Sequence, residues 1–315
     1  MNKIKKLFHA LLYDRNKIKI VLLYKFSRFY SDEKFLRKLY GLRMGKELNL
    51  EHPQTFSEKL QWLKLNNRQP IMCDMVDKVE AKKYVANLIG EEYIIPTLGV
   101  YNSVDEIDFE TLPNQFVLKC THDSGGLVIC KDKSKLDIVA AKKKLAQSLK
   151  RNYYYQNREW PYKNLTPRII IEQYMEDESG YELKDYKFFC FDGEVKALFI
   201  ASDRGAENEE TKFDFFDADF NHLPFTNGHP NASREINKPA GFEEMKQLAA
   251  KLSVGYPHLR VDFYDINGKI YFGELTFYHW SGTMPFEPEE WDYTFGSWIK
   301  LPLKDSCVHS SVISI

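Results

Sequence analysis

Residues 259–285, LRVDFYDINGKIYFGELTFYHWSGTMP, decide how the rest of the chain is interpreted. Polar and apolar side chains alternate on both sides of the turn sequence Asp-Ile-Asn-Gly, a pattern typical of a β-hairpin. Two adjacent strands can place Asp262 and Glu274 on one face and pack apolar side chains under the other. Two carboxylates with the Thr276 hydroxyl nearby are oxygen ligands of the kind that Mg²⁺ binds together with phosphate groups.

The same hairpin has a plainer interpretation, in which its acidic side chains only face the solvent. If the carboxylates of Asp262 and Glu274 are adjacent, they repel each other unless a cation lies between them. We therefore expect this repulsion to strain the hairpin when no metal is bound, and removal of either charge to leave folding intact.

The amino-acid composition excludes several classes of protein. The chain has 315 residues, of which 43% are hydrophobic and 28% are charged, proportions that exclude a disordered chain. No run of about 18 apolar residues predicts a transmembrane helix. The five cysteines are odd in number and form no C-x-x-C pair, so neither a disulfide framework nor a zinc site is indicated. We expect a cytoplasmic protein.

The first 46 residues are strongly basic, with thirteen Lys and Arg against three Asp and Glu. The apolar segment near the start is short and lacks a cleavage site with small residues, which argues against a signal peptide. Basic and apolar residues in this pattern predict amphipathic helices that lie on an anionic membrane, as a peripheral contact at its inner face. The alternative is a solvated helical face packed on its own domain.

A second informative segment, residues 116–130, reads FVLKCTHDSGGLVIC and predicts a strand, a glycine-rich turn and a strand. Glycine has no Cβ and accepts positive φ, so the backbone N–H groups of such a turn can approach a phosphate. The spacing matches neither a Walker loop nor a dinucleotide fingerprint, and a plain turn is the alternative. Lys119 on the first strand favours phosphate binding.

Paired strands recur along the chain with helices between the pairs, which predicts an α+β fold with antiparallel sheets. One of these hairpins has Asp217, Ala218 and Asp219 in its turn. Aromatic residues also alternate with Arg151 and Arg158, but no basic stripe continues from them. We therefore expect no nucleic-acid partner.

Five motifs in this order resemble the TupA-like branch of the ATP-grasp superfamily, which is named for teichuronopeptide biosynthesis. They are the Asp-Lys pair at 77–78, Lys119 with its HDSGG turn, EQYM at 172–175, DYK at 185–187, and RVD paired with GELT in the hairpin. The resemblance spans residues 39–302. It implies an ATP-grasp fold in which two lobes with antiparallel sheets enclose a nucleotide.

The implied segments follow one another along the chain. They are a basic helical N-terminal extension (1–48), an N-terminal α/β lobe (49–113), a small lobe with a phosphate lid (114–178), a large lobe with the Mg²⁺ site (179–303) and a tail (304–315).

The resemblance also implies a site that binds ATP. Lys78 and Lys119 would contact its phosphates, and Glu172 would begin the hinge that receives adenine, on the opposite side of the nucleotide from Lys119. Asp185 or Glu182 would hold the ribose. The full set of implied nucleotide-binding residues is Lys78, Lys119, Ser124, Gly125, Gly126, Glu172, Gln173, Tyr174, Met175, Glu182 and Asp185.

The implied ligands of Mg²⁺ are Asp262, Glu274 and Thr276, although many ATP-grasp enzymes have asparagine at the last of these positions. Arg260 and Lys187 are the implied catalytic residues, because they would approach the transferred phosphoryl group. We assign the loop after the hairpin to the acceptor site, with the substrate residues His279, Ser281 and Gly282.

Together these features predict an ATP- and Mg²⁺-dependent carboxylate–amine ligase that acts through an acylphosphate. Its expected partners are a sugar acid or polysaccharide precursor and an amino acid or peptide, joined in capsular or cell-surface polysaccharide biosynthesis. A glycosyltransferase is one alternative, because residues 217–219 match the D-x-D pattern of sugar-nucleotide enzymes, although the segment is more typical of a turn. A non-catalytic nucleotide-binding scaffold is the other, and the retained Lys119, Asp262 and Glu274 argue against it.

Overall fold

The structure, a computed structural model, describes residues 15–177, 183–203 and 210–303. Its α-helices are α1 (Arg15–Lys25), α2 (Asp32–Met44), α3 (Phe56–Asn66), α4 (Ile71–Val76), α5 (Glu80–Ile89), α6 (Ile138–Leu149), α7 (Tyr154–Asn157), α8 (Phe242–Leu252) and α9 (Glu290–Trp298). Its strands are β1 (Thr97–Tyr101), β2 (Phe116–Cys120), β3 (Leu127–Cys130), β4 (Ile169–Gln173), β5 (Asp185–Phe191), β6 (Glu194–Ser202), β7 (Lys212–Asp217), β8 (His222–Leu223), β9 (Leu259–Ile266) and β10 (Lys269–Thr276). No helix among these residues combines the length and the apolar character needed to cross a membrane.

The strands form two antiparallel sheets, which confirms the predicted α+β architecture. The smaller sheet has the order β1-β4-β2-β3, and the larger sheet has the order β10-β9-β5-β6-β7-β8. Strand β1 lies within the segment 49–113 that we assigned to a separate N-terminal lobe. Because Thr97 pairs with Glu172 and Tyr101 pairs with Ile169, β1 belongs to the smaller sheet instead.

Each sheet has its own hydrophobic core. The smaller core joins the four-stranded sheet to α6, and the larger core joins the six-stranded sheet to α2, α3 and α4. In α2, the side chains of Phe35, Leu36, Leu39 and Tyr40 are buried in the larger core. Apolar residues at this helical spacing form a stripe that packs inward. Helix α2, which we assigned to the N-terminal extension 1–48, is therefore integral to the larger lobe.

Local sequence signals set the starts of the helices that build this core. Ser31 caps α2 by accepting a hydrogen bond from the backbone nitrogen of Lys34 at 3.4 Å. Thr55 and Glu58 form a capping box at the start of α3, as the Thr-x-x-Glu spacing predicts. Helix α3 then contacts α9 and the loop that follows the central hairpin. These contacts bring an N-terminal helix next to the candidate acceptor loop.

The central hairpin consists of β9 and β10, joined by a tight Asn-Gly turn with positive φ at both residues. A β-bulge at Gly273 shifts the register, so that Glu274 lies opposite Asp262. Without the bulge, Glu274 would lie opposite Val261, and its side chain would point to the other face. A Cβ at position 273 would approach the carbonyl oxygen of Asp262 to 3.0 Å, a close contact that glycine avoids.

Candidate active site

A cleft with a cavity of about 280 Å³ lies between the two sheets. Its lining includes eight of the site residues predicted from the sequence, namely Lys78, Lys119, Ser124, Gly126, Glu172, Asp185, Lys187 and Glu274. The predicted hinge residues Gln173, Tyr174 and Met175 are not among the lining residues. Glu182, the second candidate for the ribose, lies outside the described residues.

Glu172 anchors two lysines on the wall formed by the smaller sheet. Its carboxylate pairs with Lys119 at 2.5 Å and also with Lys82 from α5. Burial raises the pKa of Glu172, but the two lysines outweigh burial and hold the pKa below its usual value. The expectation that Lys119 and Glu172 lie on opposite sides of a nucleotide is therefore wrong. Strands β2 and β4 are neighbours, and because Glu172 lies opposite Val117, its side chain is diagonal to Lys119 on the same face.

The glycine-rich turn between β2 and β3 is closed by hydrogen bonds to Asp123. This carboxylate accepts one from the backbone nitrogen of Gly126 at 2.9 Å and another from the hydroxyl of Ser148. Lys78 donates to the backbone oxygen of Asp123 at 2.6 Å, which holds its ammonium group beside the turn. Burial lowers the pKa of Lys78. Position 126 requires glycine, because a Cβ there would lie 2.5 Å from the Cys120 sulfur.

Arg260 is the centre of the hydrogen-bond network on the larger sheet. It donates to the two carboxylate oxygens of Asp262, at 2.7 and 2.8 Å. It also donates to Glu274 at 2.8 Å and to the hydroxyl of Thr276 at 3.0 Å. A single guanidinium group thus connects all three of the predicted metal ligands.

Lys187 is the second cation on this face. Its ammonium group donates to Asp262 and lies 3.3 Å from the carboxylate of Asp185. Asp262 has no exposed surface, so both of its cationic partners reach it inside the protein. The expectation of a strained carboxylate pair is therefore wrong, because Arg260 lies between Asp262 and Glu274 and neutralises their repulsion.

The loop after the hairpin extends this network, but it buries the three residues that we assigned to the acceptor site. Arg260 donates to Nδ1 of His279 at 2.9 Å. Since arginine has only donors, His279 carries its hydrogen on Nε2 and donates it to Asn227 at 2.9 Å. Burial, together with Arg260, lowers the pKa of His279 well below its usual value, so the imidazole is neutral. The side chains of His279 and Ser281 therefore face the protein interior.

The family of the chain follows from its sequence. A family model described as TupA-like ATP-grasp matches residues 58–300, which is more than half of the chain. The protein belongs to the TupA-like ATP-grasp family. No curated protein sequence matches it significantly.

Solved structures of ATP-grasp ligases are similar to this TupA-like protein at low sequence identity. D-Alanine–D-alanine ligase from Bacillus anthracis, complexed with ATP, is 16% identical with a TM-score of 0.39, over 64% of this chain and 54% of that one. The ATP-grasp ligase PsnB, complexed with a minimal precursor, Mg and ADP, is 12% identical with a TM-score of 0.37, over 70% and 57%. N5-Carboxyaminoimidazole synthetase from Staphylococcus aureus is 16% identical with a TM-score of 0.41, over 69% and 50%. The match thus covers between 50% and 57% of each of these proteins.

The donor set of the TupA-like hairpin suits a magnesium ion that is held together with phosphates. The Glu274 side chain is 48% exposed, whereas Asp262 is engaged by two buried cations. Partial burial in the cleft raises the pKa of Glu274, but the surrounding cations, led by Lys187 and Arg260, lower it to about 2 and keep the carboxylate ionised. In the described parts of the chain, no group of three or more acidic, His or Cys side chains could hold a metal alone. Because Mg²⁺ usually takes one or two carboxylates and completes its shell with phosphate and water, these residues fit it.

Several polar residues of the site were missed in the sequence. Lys82 lies four residues after Lys78, a helical spacing that could have indicated a second cation on one face. Gln61, Lys64 and Glu159 contact the loop after the hairpin from positions at least 122 residues away in the sequence. No local pattern identifies such partners, because the tertiary fold alone brings them together.

Proposed function

We propose that this TupA-like ATP-grasp protein is an ATP- and Mg²⁺-dependent ligase that joins a carboxylate to an amine. The observation that carries the proposal is the convergence of four lysines on one cleft, namely Lys78, Lys82, Lys119 and Lys187. Arg260 reaches the same cleft through its hydrogen bond to Glu274. The cations complement the negative charge of a triphosphate, and the ionised carboxylate of Glu274 complements the positive charge of its metal ion.

The smaller sheet supplies most of the nucleotide contacts in this proposal. Lys78 and Lys119 bind the α- and β-phosphates, and the turn at residues 124–126 covers them. The backbone nitrogen of Gln173 already donates to the oxygen of Pro96 at 3.0 Å. In this proposal adenine therefore binds to the backbone groups of the next two residues, 174 and 175. Asp185, which lines the cleft from the larger sheet, holds the ribose.

The larger sheet supplies the metal ligands and the groups around the reacting atoms. Glu274, with Asp262 and Thr276, would hold Mg²⁺, which neutralises charge that develops on the leaving ADP. Arg260 and Lys187 stabilise the negative charge of the phosphoryl group during its transfer. Asp262 keeps these two cations in place through its hydrogen bonds.

The proposed reaction has two steps, phosphoryl transfer and amide formation. An oxygen of the substrate carboxylate attacks the γ-phosphorus of ATP, the bond to the bridging oxygen breaks, and ADP leaves. The amine then attacks the carbonyl carbon of the acylphosphate, forms the amide and releases phosphate and a proton. Positioning and charge stabilisation are the tasks that remain for the protein.

The described cysteines offer no competing nucleophile for a covalent enzyme intermediate. Burial raises the thiol pKa of Cys120 to about 11 and that of Cys190 to about 12. Burial also raises the pKa of Cys73 and Cys130. Because the thiolate is the reactive form of cysteine, direct transfer between bound substrates agrees better with this site.

For the substrates, we propose a sugar acid or polysaccharide precursor as the acid and an amino acid or peptide as the amine. The support for this choice is the order of the TupA-like motifs. The glycosyltransferase alternative is weakened by the geometry of its D-x-D segment. Asp217 accepts hydrogen bonds from the backbone nitrogens of Asp219 at 2.9 Å and Asn221 at 2.8 Å, so its carboxylate closes a turn.

Nucleotide binding is expected to depend on Lys119. A non-hydrolysable ATP analogue with Mg²⁺ should raise the melting temperature of the wild type. Lys119→Ala should weaken analogue binding by about tenfold or more, because a charge-assisted hydrogen bond to a phosphate is lost. Thermal denaturation across analogue concentrations measures both effects. Lys143→Ala, which removes an exposed lysine of α6, is the matched control and should bind like the wild type.

ADP release by the same variants tests the ligase function itself. With ATP and Mg²⁺, the wild type should release ADP fastest when a uronic acid and an amino acid are supplied together, and Lys143→Ala should match it. No ADP release across a panel of acids and amines would contradict the ligase proposal. Stabilisation by UDP-sugars without stabilisation by the ATP analogue would favour a glycosyltransferase.

We also propose that the basic N-terminal segment contacts an anionic membrane. Helix α1 and the turn after it expose an apolar stripe, formed by Ile18, Val21, Leu22, Phe26 and Phe29. Residues 15–31 contain five Lys and Arg and no Asp or Glu. An exposed apolar stripe among cations suits the interface of a membrane that carries negative charge.

Membrane binding is expected to require the apolar stripe. The wild type should sediment with vesicles that contain phosphatidylserine, less so at high salt, and Val21→Ser with Phe29→Ser should lower the bound fraction about fivefold. Val139→Ser, at an exposed valine of α6, is the control. Deletion of α1 is a poorer test, because Leu23 belongs to the core. Equal sedimentation of the stripe variant and the wild type would contradict the membrane contact.

A further inference from the structure

Three consecutive residues after the hairpin adopt the left-handed backbone region. The φ angle is +47° at Trp280, +55° at Ser281 and +60° at Gly282. This region is unfavourable for a residue with a side chain, and such residues persist there only where the surrounding structure imposes it. The strained turn immediately follows His279, which accepts a hydrogen bond from Arg260.

Buried polar side chains from another part of the chain hold this turn. Gln61 in α3 donates to the backbone oxygens of Ser281 and Gly282, each at 2.8 Å. Lys64, one helical turn further, donates to the oxygen of Ser281 at 2.8 Å. The Ser281 hydroxyl donates to the buried carboxylate of Glu159. These buried side chains hold a turn that is unfavourable by itself, so we infer that its conformation fixes the position of a side chain that the turn carries.

The group that the turn presents is the indole of Trp280, a residue that is 39% exposed. The indole lies near Phe213, with ring centroids 6.2 Å apart and an interplanar angle of 29°, and its centroid is 6.0 Å from that of His229. The backbone at Gly228 passes against it, where a Cβ would lie 3.0 Å from the ring atoms. These contacts fix the indole while part of its surface stays open to a ligand.

Aromatic contacts connect the indole to Arg260. The rings of Phe213 and Phe199 lie 4.5 Å apart, and the guanidinium carbon of Arg260 is 5.8 Å from the Phe199 ring. Near the indole, Nδ1 of His229 is buried and has no hydrogen-bond partner among the described residues. Because buried polar atoms are normally paired, a ligand that carries a hydroxyl group would complete this arrangement.

We propose that Trp280 forms the acceptor subsite, and that the ring of the acceptor sugar acid packs on its indole with the carboxylate directed toward Arg260. This inference rests on the proposed ligase function. A pyranose ring has an apolar C–H face that packs against an indole, and hydroxyl groups at its edge that reach polar side chains such as His229. A linear acid has no such face, so Trp280 selects a cyclic acid.

The test compares the wild type with Trp280→Ala, Trp280→Phe and Tyr293→Ala, a control that removes an exposed ring from α9. The probes are D-glucuronate, D-galacturonate and the linear acid succinate, and KM for each acid and for ATP is measured from ADP release. Trp280→Ala should raise KM for the two uronates about tenfold or more, because an aromatic anchor is lost. KM for ATP and for succinate should not change, and Trp280→Phe should retain most of the affinity.

Intrinsic fluorescence supplies a second readout that does not depend on turnover or on the alanine variant. Glucuronate should change the emission of the wild type, and Trp280→Phe should abolish that change. If uronate binding depends on Trp280 but no ADP is released, the subsite is supported and the ligase function is contradicted. Unchanged KM and binding in Trp280→Ala, or no binding of either uronate to the wild type, would overturn the subsite even if ligase turnover is intact.

Discussion

Glu274→Gln is expected to lower kcat by about three orders of magnitude or more, which corresponds to about 4 kcal/mol of barrier. Of the two hairpin carboxylates, Asp262 is buried, whereas the ionised Glu274 is partly exposed and lines the cleft. Glutamine keeps the shape of the side chain but removes the charge that holds Mg²⁺ near the phosphates. Stability should change by less than about 1 kcal/mol, because the Glu274 side chain is half exposed and Arg260 keeps its two hydrogen bonds to Asp262.

Steady-state ADP release over a range of Mg²⁺ concentrations, with thermal denaturation of the same samples, measures this prediction. Glu194→Gln removes an exposed, ion-paired glutamate at the turn between β5 and β6 and should behave like the wild type in both assays. If Glu274→Gln retains a kcat within tenfold of the wild type, Glu274 does not hold the catalytic metal, and its carboxylate serves only as an ion-pair partner of Arg260.

The central hairpin could be predicted from local sequence because its causes are local. Alternating side chains and an Asn-Gly turn define the two strands, and glycine within a strand is a known signal for a bulge. The bulge at Gly273 decides that Glu274 faces Asp262. The helix caps and the hydrogen bond from Gly126 to Asp123 in the glycine-rich turn are local in the same sense, since each depends on residues a few positions apart.

The charge network could not be predicted in the same way, because it depends on the register between strands that are far apart in the sequence. Lys187 meets Asp262 because β5 pairs with β9, and nothing near either residue specifies that pairing. Lys119 meets Glu172 through the pairing of β2 with β4. Motif order therefore identified six of the eight charged residues that line the cleft, but it did not reveal that the acidic residues are already paired with cations.

Asp262→Asn is expected to destabilise the folded protein by about 3–5 kcal/mol, in contrast to Glu274→Gln. Asp262 has no exposed surface, and it accepts hydrogen bonds from Arg260 and from Lys187. The variant would leave these two cations buried with less negative charge to balance them. This expectation reverses the one drawn from the sequence, in which two unscreened carboxylates repel each other and the loss of one is harmless.

Urea denaturation of the wild type, Asp262→Asn and Glu274→Gln measures the free energies of unfolding. The double variant Asp262→Asn with Lys187→Met is the decisive addition. If the cost of Asp262→Asn comes from an uncompensated buried ammonium group, removal of that group should recover part of the lost stability, and the two substitutions should not be additive. An Asp262→Asn variant as stable as the wild type would mean that Arg260 and Lys187 do not depend on Asp262. The carboxylate would then be available to the metal in the free protein, as the sequence alone suggests.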